Sequence, residues 1–126
     1  MENNRIKRIL LIDDDVYIVE LLSILLASSS CEMITAQNGK QAVEVLSNQS
    51  IDMIILDLMM PEMDGLVFLH WLREEANATT PVLVFTGVAA PDTEKQVMAA
   101  GATALVYKPI KVPDLLAKIQ QLEQLI

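Results

Sequence analysis

Four apolar segments of this chain each run into a group that can do chemistry. "RILLI" ends at Asp13, Asp14 and Asp15, "MIIL" ends at Asp57, "PVLVF" ends at Thr86, and "ATALVY" ends at Lys108 with Pro109 behind it. An acid at the end of a buried strand costs free energy unless something meets its charge. Carboxylates gathered within a few ångströms of one another repel, and the pKa of one is then driven up. A divalent cation removes that conflict. An oxygen-only donor set suits Mg2+, which binds through one or two carboxylates and keeps several waters, with Mn2+ as the alternative ion. A lysine adds positive charge, and a threonine hydroxyl can donate to an oxyanion. These are the parts that phosphoryl transfer needs: an acceptor oxygen, a metal, a cation and a positioned donor. A carboxylate can itself be the nucleophile.

For those groups to meet, the segments that carry them must be strands of one sheet. The intervening sequence reads as helices. "VYIVELLSILLAS" carries Val16, Val19, Leu22 and Leu26 at helical spacing, with Leu25 alongside. "NGKQAVEVLSN" turns Ala42, Val43 and Leu46 inward, and "GLVFLHWLREEA" does the same with Leu66, Leu69 and Leu72. "DTEKQVMAAG" starts near Asp92 and is stopped by Gly101, and "VPDLLAKIQQLEQLI" opens with Pro113 in its first turn. "CEMITA" supplies one more strand. Five apolar strands thus alternate with five helices. Strands apolar on both faces imply a parallel sheet covered on both sides. Right-handed crossovers then give an α/β doubly wound sandwich. In such sheets functional groups collect beyond the carboxyl ends of the strands, where four of these five strands deliver a polar side chain.

The 126 residues are expected to form a single domain with its core at about residues 6–124. Apolar residues make up 52% of the chain, and the four glycines and five prolines are too few for a linker-rich or disordered chain. Its net charge of −8 repels nucleic acid and anionic lipid, so no direct nucleic acid binding and no membrane association are expected of this domain. No run reaches the roughly 18 apolar residues of a membrane span. The opening "MENNRIKRILLIDDD" has no apolar core of signal-peptide length. A lone cysteine, Cys31, allows no intrachain disulfide and fits a reducing, cytoplasmic location. The sequons at Asn48 and Asn77 are then chance matches.

The motifs "ILLIDDD", "DMIILDLMMPEMDG", "VLVFTG" and "VYKP", in that order over essentially the whole chain, resemble the receiver domains of two-component response regulators, the CheY-like superfamily. The resemblance implies a flavodoxin-like fold with a five-stranded parallel sheet in the order 2-1-3-4-5. It implies that Asp57 is the phospho-acceptor and that Thr86 and Lys108 contact the phosphoryl group. Asp14 would bind Mg2+ directly and Asp13 largely through water, with Asp57 and the Met59 backbone carbonyl completing the protein ligands. The Lys108–Pro109 bond would be cis, as X-Pro bonds allow. The implied partners are a histidine kinase or histidine phosphotransfer protein as donor, and a downstream protein or attached output domain on the fourth helix, fifth strand and fifth helix. The domain would be a monomer or a phosphorylation-dependent dimer. It would be no enzyme beyond catalysing its own phosphorylation and dephosphorylation.

Several residues have plainer readings. Asp15 and Asp64 are read as helix caps, Asp52 as a strand-start residue, Cys31 as structural and His70 as a helical bystander. In "PEMDG", Pro61 and Gly65 shape the loop beside Asp57. The seven methionines are packing filler. The chain also departs from the family. The position three before the lysine, commonly Tyr or Phe, is Leu105, while Tyr107 adjoins Lys108 on the same strand face. The expectation is therefore that Thr86 displacement is read out by the loop and fourth helix without a ring flip. Gly87 stands where the family often has Ala. Met59 and Val88 flank the site, and neither can orient a water, so slow self-dephosphorylation is expected.

Rival readings differ at single positions. An aspartyl-phosphate phosphatase of the haloacid dehalogenase type needs an acid where Met59 stands. An FMN binder needs a phosphate-cradling loop where "DDD" would repel phosphate. A receiver-like binding module that never takes phosphate, and a receiver excised from a hybrid histidine kinase or transcription regulator, remain as alternatives. The tail "LLAKIQQLEQLI" puts Leu115, Ile119, Leu122 and Ile126 along one face, with Leu125 near it; this is mostly the stripe facing the sheet, although a helix running on into a coiled coil would look similar.

Overall fold

The computed structural model describes residues 7–27, 31–59, 64–87, 90–109 and 111–124, with the side chains of 25–27 and 112 left out. The elements alternate as expected: β1 (Arg8–Ile12), α1 (Val16–Ala27), β2 (Glu32–Ala36), α2 (Gly39–Asn48), β3 (Met53–Leu56), α3 (Gly65–His70), β4 (Val82–Thr86), α4 (Thr93–Ala99), β5 (Ala104–Tyr107) and α5 (Val112–Glu123). The five strands form one parallel sheet in the order β2-β1-β3-β4-β5.

Strand alternation divides the core into two layers. Ile9, Leu11, Met53, Ile55, Leu83 and Phe85 face α1 and α5, where Leu22, Leu115, Ile119 and Leu122 meet them. Leu10, Ile12, Ile54, Leu56, Val82 and Val84 face α2, α3 and α4 through Ala42, Phe68, Leu69 and Val97. The central strands β3 and β4 are buried along their whole length. This is the physical reason their sequences are apolar without alternation.

The structure adds two facts about the helix faces. Val16 does not turn inward: it is 64% exposed, whereas Leu22 is buried and Val19 half-buried. Helix α1 is apolar on nearly every side, so spacing does not select a face. The side chains of Leu25 and Leu26 lie outside the described set, as do Leu125 and Ile126. In the third helix Leu69 and Leu72 are buried and Leu66 is half-buried, as their spacing implies, and Phe68 is fully buried beside them. After His70 the helix widens into a π turn over Trp71–Glu75, where the Ala76 N–H reaches back to the Trp71 carbonyl. Trp71, at the start of that turn, packs on Phe68 at 5.9 Å between ring centroids.

Local chemistry sets the connections. Asp64 caps α3, its carboxylate accepting from the Val67 N–H. Asp15 accepts from Tyr17 N–H at the start of α1. Asp52 does more than begin a strand: its carboxylate accepts the backbone N–H groups of Lys7 and Arg8, tying the start of β1 to the start of β3 beside it. Gly65 is needed for close approach rather than for turn freedom. A Cβ there would sit 2.7 Å from Leu58 Cα and 2.8 Å from the Asp57 carbonyl oxygen. Helix α4 ends in a Schellman motif, with Gly101 at φ 109°. Its N–H donates to Met98 C=O and that of Ala102 to Val97 C=O.

Candidate functional site

The ladder hydrogen bonds that close each strand also fix the site. Asp13 N–H donates to Ala36 C=O, Asp57 N–H to Ile12 C=O, and Lys108 N–H to Thr86 C=O. Each polar residue therefore leaves the sheet from a backbone pinned by the neighbouring strand. The geometry brings Asp13, Asp14, Asp57, Thr86 and Lys108 to the carboxyl edge, at the β1/β3 reversal of strand order.

The carboxylates are not equivalent. Asp13 is 1% exposed, Asp57 is 7% exposed, and Asp14 stands at the surface. One oxygen from each of the three lies within 4.8 Å of the others, close enough for a single cation. Lys108 Nζ is 2.8 Å from Asp13 Oδ2 and 3.6 Å from Asp57 Oδ2. Its stem passes Phe85, with the ammonium 5.3 Å from the ring centroid. The second Asp13 oxygen accepts the Asp15 N–H at 2.9 Å, and Asp57 Oδ1 accepts the Met59 N–H at 3.3 Å. Thr86 is fully buried at the end of β4.

The electrostatics follow from that asymmetry. Burial pushes the Asp13 carboxyl above the usual carboxylate range, against the pull of the Lys108 hydrogen bond and the Asp15 N–H; the Asp57 charge adds to the rise. For Lys108, burial disfavours the charge, but its hydrogen bond to Asp13 and the charges of Asp13, Asp57 and Asp15 outweigh it and raise the pKa. The Lys108 ammonium is thus held firmly charged by the carboxylates around it, Asp13 first.

Asp14, Asp15, Asp57, Leu58, Met59, Asp64 and Lys108 line an open cleft over this edge. Asp15 and Asp64 accept from backbone N–H groups at the starts of α1 and α3, and the same carboxylates add negative charge to the rim. The Met59 side chain is 67% exposed at the mouth. Phe85 beside Lys108 had no sequence signal, because an aromatic within a buried strand reads as core. Val88, Met60, Pro61 and Met63 lie outside the described residues. Lys108–Pro109 is cis. Leu105 is half-buried against the layer beneath α4, and Tyr107, two residues further on, is 38% exposed.

The family model of the response regulator receiver domain matches residues 9–120. The chain belongs to that family. The match spans every element from β1 into α5. The chain is 32% identical over 114 residues to the probable transcriptional regulatory protein TcrX of Mycobacterium tuberculosis, covering 90% of this chain and 48% of that protein. It is 28% identical over 115 residues to the polar-differentiation response regulator DivK of Brucella anthropi, covering 90% of this chain and 94% of DivK. It therefore spans about half the length of some curated relatives, as with the 48% of TcrX, and nearly all of others. Among solved structures, the chemotaxis protein CheY4 of Vibrio cholerae superposes with a TM-score of 0.84 at 30% identity, covering 92% of this chain and 98% of CheY4. The receiver domain of a signal transduction histidine kinase from Syntrophus aciditrophicus gives 0.86 at 30% identity, covering 95% and 92%. This receiver shares the fold of both. Among its described residues no helix is long and apolar enough to cross a membrane.

Proposed function

We propose that this receiver takes a phosphoryl group onto Asp57 from the phosphohistidine of a histidine kinase or histidine phosphotransfer protein, and passes the change to an output partner. The observation that carries the reading is the convergence of three carboxylates and one ammonium from β1, β3 and β5 at a single cleft. In the transfer, an Asp57 carboxylate oxygen forms the new P–O bond while the P–N bond to the donor imidazole breaks. The imidazole keeps the electron pair of that bond and takes a proton.

The residues present fit a divalent cation. Their donors are hard carboxylate oxygens, one each from Asp13, Asp14 and Asp57, all within 4.8 Å of one another. Asp13, Asp14, Asp57 and the Met59 carbonyl would hold Mg2+, which when bound supplies charge neutralisation for the phosphoryl oxygens. The remaining work falls to the chain. Lys108 stands within reach of both Asp13 and Asp57 and can follow developing negative charge from one to the other. Thr86, one strand away, offers a hydroxyl to a phosphoryl oxygen. The buried layer beneath keeps the Asp57 backbone rigid.

The output surface in this reading is α4, β5 and α5, where Met98 is 45% and Tyr107 38% exposed. The domain turns over no outside substrate, acting only on its own acyl phosphate, and works in the cytoplasm. Incubation with acetyl phosphate and Mg2+, followed by intact-mass measurement, tests the acceptor. Wild type is expected to gain one phosphoryl group and Asp57→Ala none; equal gain in both refutes the assignment.

A further inference from the structure

Lys108 has a neighbour of a different kind from its two carboxylates. Its ammonium stands over the Phe85 ring, 5.3 Å from the centroid. The sheet puts the two side chains together. Phe85 pairs with Val106 across β4 and β5, and Lys108 is two residues beyond Val106, on the same face by strand alternation. The Lys108 backbone is held there by its N–H bond to Thr86 C=O. Phe85 is buried in the layer that faces α1 and α5. The Lys108 side chain above it is only 18% exposed. An ammonium that has shed much of its water over an aromatic face is the setting in which attraction to the ring quadrupole is strongest. A leucine at this position would also bury apolar surface in that layer, but it would offer the ammonium no such attraction.

We propose that Phe85 is a positioning residue for phosphoryl transfer: its ring holds the Lys108 ammonium at the cleft while the ammonium shifts from Asp13 toward the phosphoryl group arriving on Asp57. This rests on the phospho-acceptor reading above. The ammonium begins 2.8 Å from Asp13 Oδ2 and 3.6 Å from Asp57 Oδ2, so it must give up part of one contact to strengthen the other. A hydrogen bond depends on both distance and alignment. The attraction of a ring face is broad and has no preferred direction across that face, so it persists over such a shift. It also leaves the ammonium N–H groups to point at oxygen. The apolar ring keeps water from that side, so the positive charge acts more strongly on the charge that develops on the phosphoryl oxygens. Over an aliphatic side chain, Asp13 would dominate the position of the ammonium throughout. Phe85 touches no reacting atom; it acts through Lys108.

The experiment measures the rate at which acetyl phosphate phosphorylates Asp57 at saturating Mg2+, by intact mass; the P–O bond to acetate breaks as the bond to the Asp57 oxygen forms. Phe85 is replaced by mono-, di- and trifluorophenylalanine and, separately, by leucine in Phe85→Leu. Fluorine drains electron density from the ring face and leaves its shape nearly unchanged. The rate is expected to fall stepwise with fluorine number, and to lie roughly three- to tenfold below wild type in Phe85→Leu. A second readout is independent of turnover. The Lys108 ε-methylene NMR signals of the metal-free protein should lie upfield through the ring current and return to the ordinary lysine position in Phe85→Leu. A ring that only packs gives rates that follow the melting temperature and ignore fluorine number, and that result overturns the proposal. So do unshifted Lys108 ε-methylene signals in wild type, an arm that needs no variant to fold. If wild type gains no phosphoryl group, or Asp57→Ala gains as much, the acceptor reading falls and the role of Phe85 with it. If Asp57 is phosphorylated and the fluorinated series is flat, only the role of Phe85 falls.

Discussion

One substitution, glycine to alanine, should have opposite effects at two places that flank the same site. At Gly65 the new methyl would meet backbone on two sides, Leu58 Cα at 2.7 Å and the Asp57 carbonyl oxygen at 2.8 Å, with Leu58 Cδ2 at 2.9 Å. Backbone cannot swing away as a side-chain end can, so the cost lies at the upper end of overpacking, about 3 kcal/mol. Alanine returns about 1 kcal/mol through helix propensity, leaving a net loss of about 2 kcal/mol. At Gly87 nothing among the described residues lies within 4 Å of where a Cβ would point and no positive φ is required, so alanine acts on the unfolded chain alone. It should stabilise by about 0.4–1 kcal/mol. With an unfolding entropy of about 2.1 cal/mol/K per residue, a chain of this length shifts by roughly 4 °C per kcal/mol. Thermal unfolding by circular dichroism should therefore show Gly65→Ala melting about 8 °C lower and Gly87→Ala about 2–4 °C higher than wild type. Because Gly65 N–H also donates to the Leu58 carbonyl, displacement there reaches the Asp57 loop, and Mg2+ affinity should fall in Gly65→Ala but not in Gly87→Ala. Gly65→Ala melting within a degree or so of wild type, or Gly87→Ala being the more damaging, would refute the steric reasoning.

Asp13→Asn should stabilise the metal-free protein at neutral pH. The folded-state pKa of Asp13 lies above its unfolded value, so its stability contribution is present below the unfolded value, near 3.8, and is lost as pH rises through the folded one. The gain from Asn should shrink as pH falls through that window, and added Mg2+ should stabilise wild type more than the variant; a destabilised Asp13→Asn in urea unfolding at pH 7 counts against this. Lys108 shifts the other way along the scale: its raised pKa means that its contribution is intact below about 10.5 and fades as pH climbs through the folded value, so Lys108→Met should cost stability at neutral pH and flatten the alkaline limb of the profile. Met59→Asn places a group able to orient water at the mouth of the cleft and should shorten the acyl-phosphate half-life by about tenfold, well below what a positioned general base supplies; a half-life unchanged by phosphate-release assay argues that access, not orientation, limits hydrolysis. With beryllofluoride bound, the Tyr107 ring should stay outside, and a crystal structure with the ring turned inward would show that the switch uses it after all.

The order of elements, the parallel sheet and its helical cover were determined by the sequence itself. An uninterrupted apolar strand such as "MIIL" admits only burial on both faces, and the helices between strands then follow from chain connectivity. Because functional groups collect at the carboxyl edge of such a sheet, Asp13, Asp57, Thr86 and Lys108 could be grouped although they lie far apart along the chain. What sequence could not determine is how those groups share charge. That Lys108 sits on Asp13 rather than on Asp57, and that Asp13 rather than Asp14 is buried, depends on distances of about one ångström set by neighbouring strands. The face of α1 was equally undecided, since a helix apolar all round gives spacing no contrast to read. The hydrogen bond from Arg73 to the Gly101 carbonyl joins segments remote in sequence, and the π turn at Trp71 and the close approach of Gly65 to Leu58 depend on how their segment seats against the sheet. Only packing creates them, and no periodicity or local propensity records it.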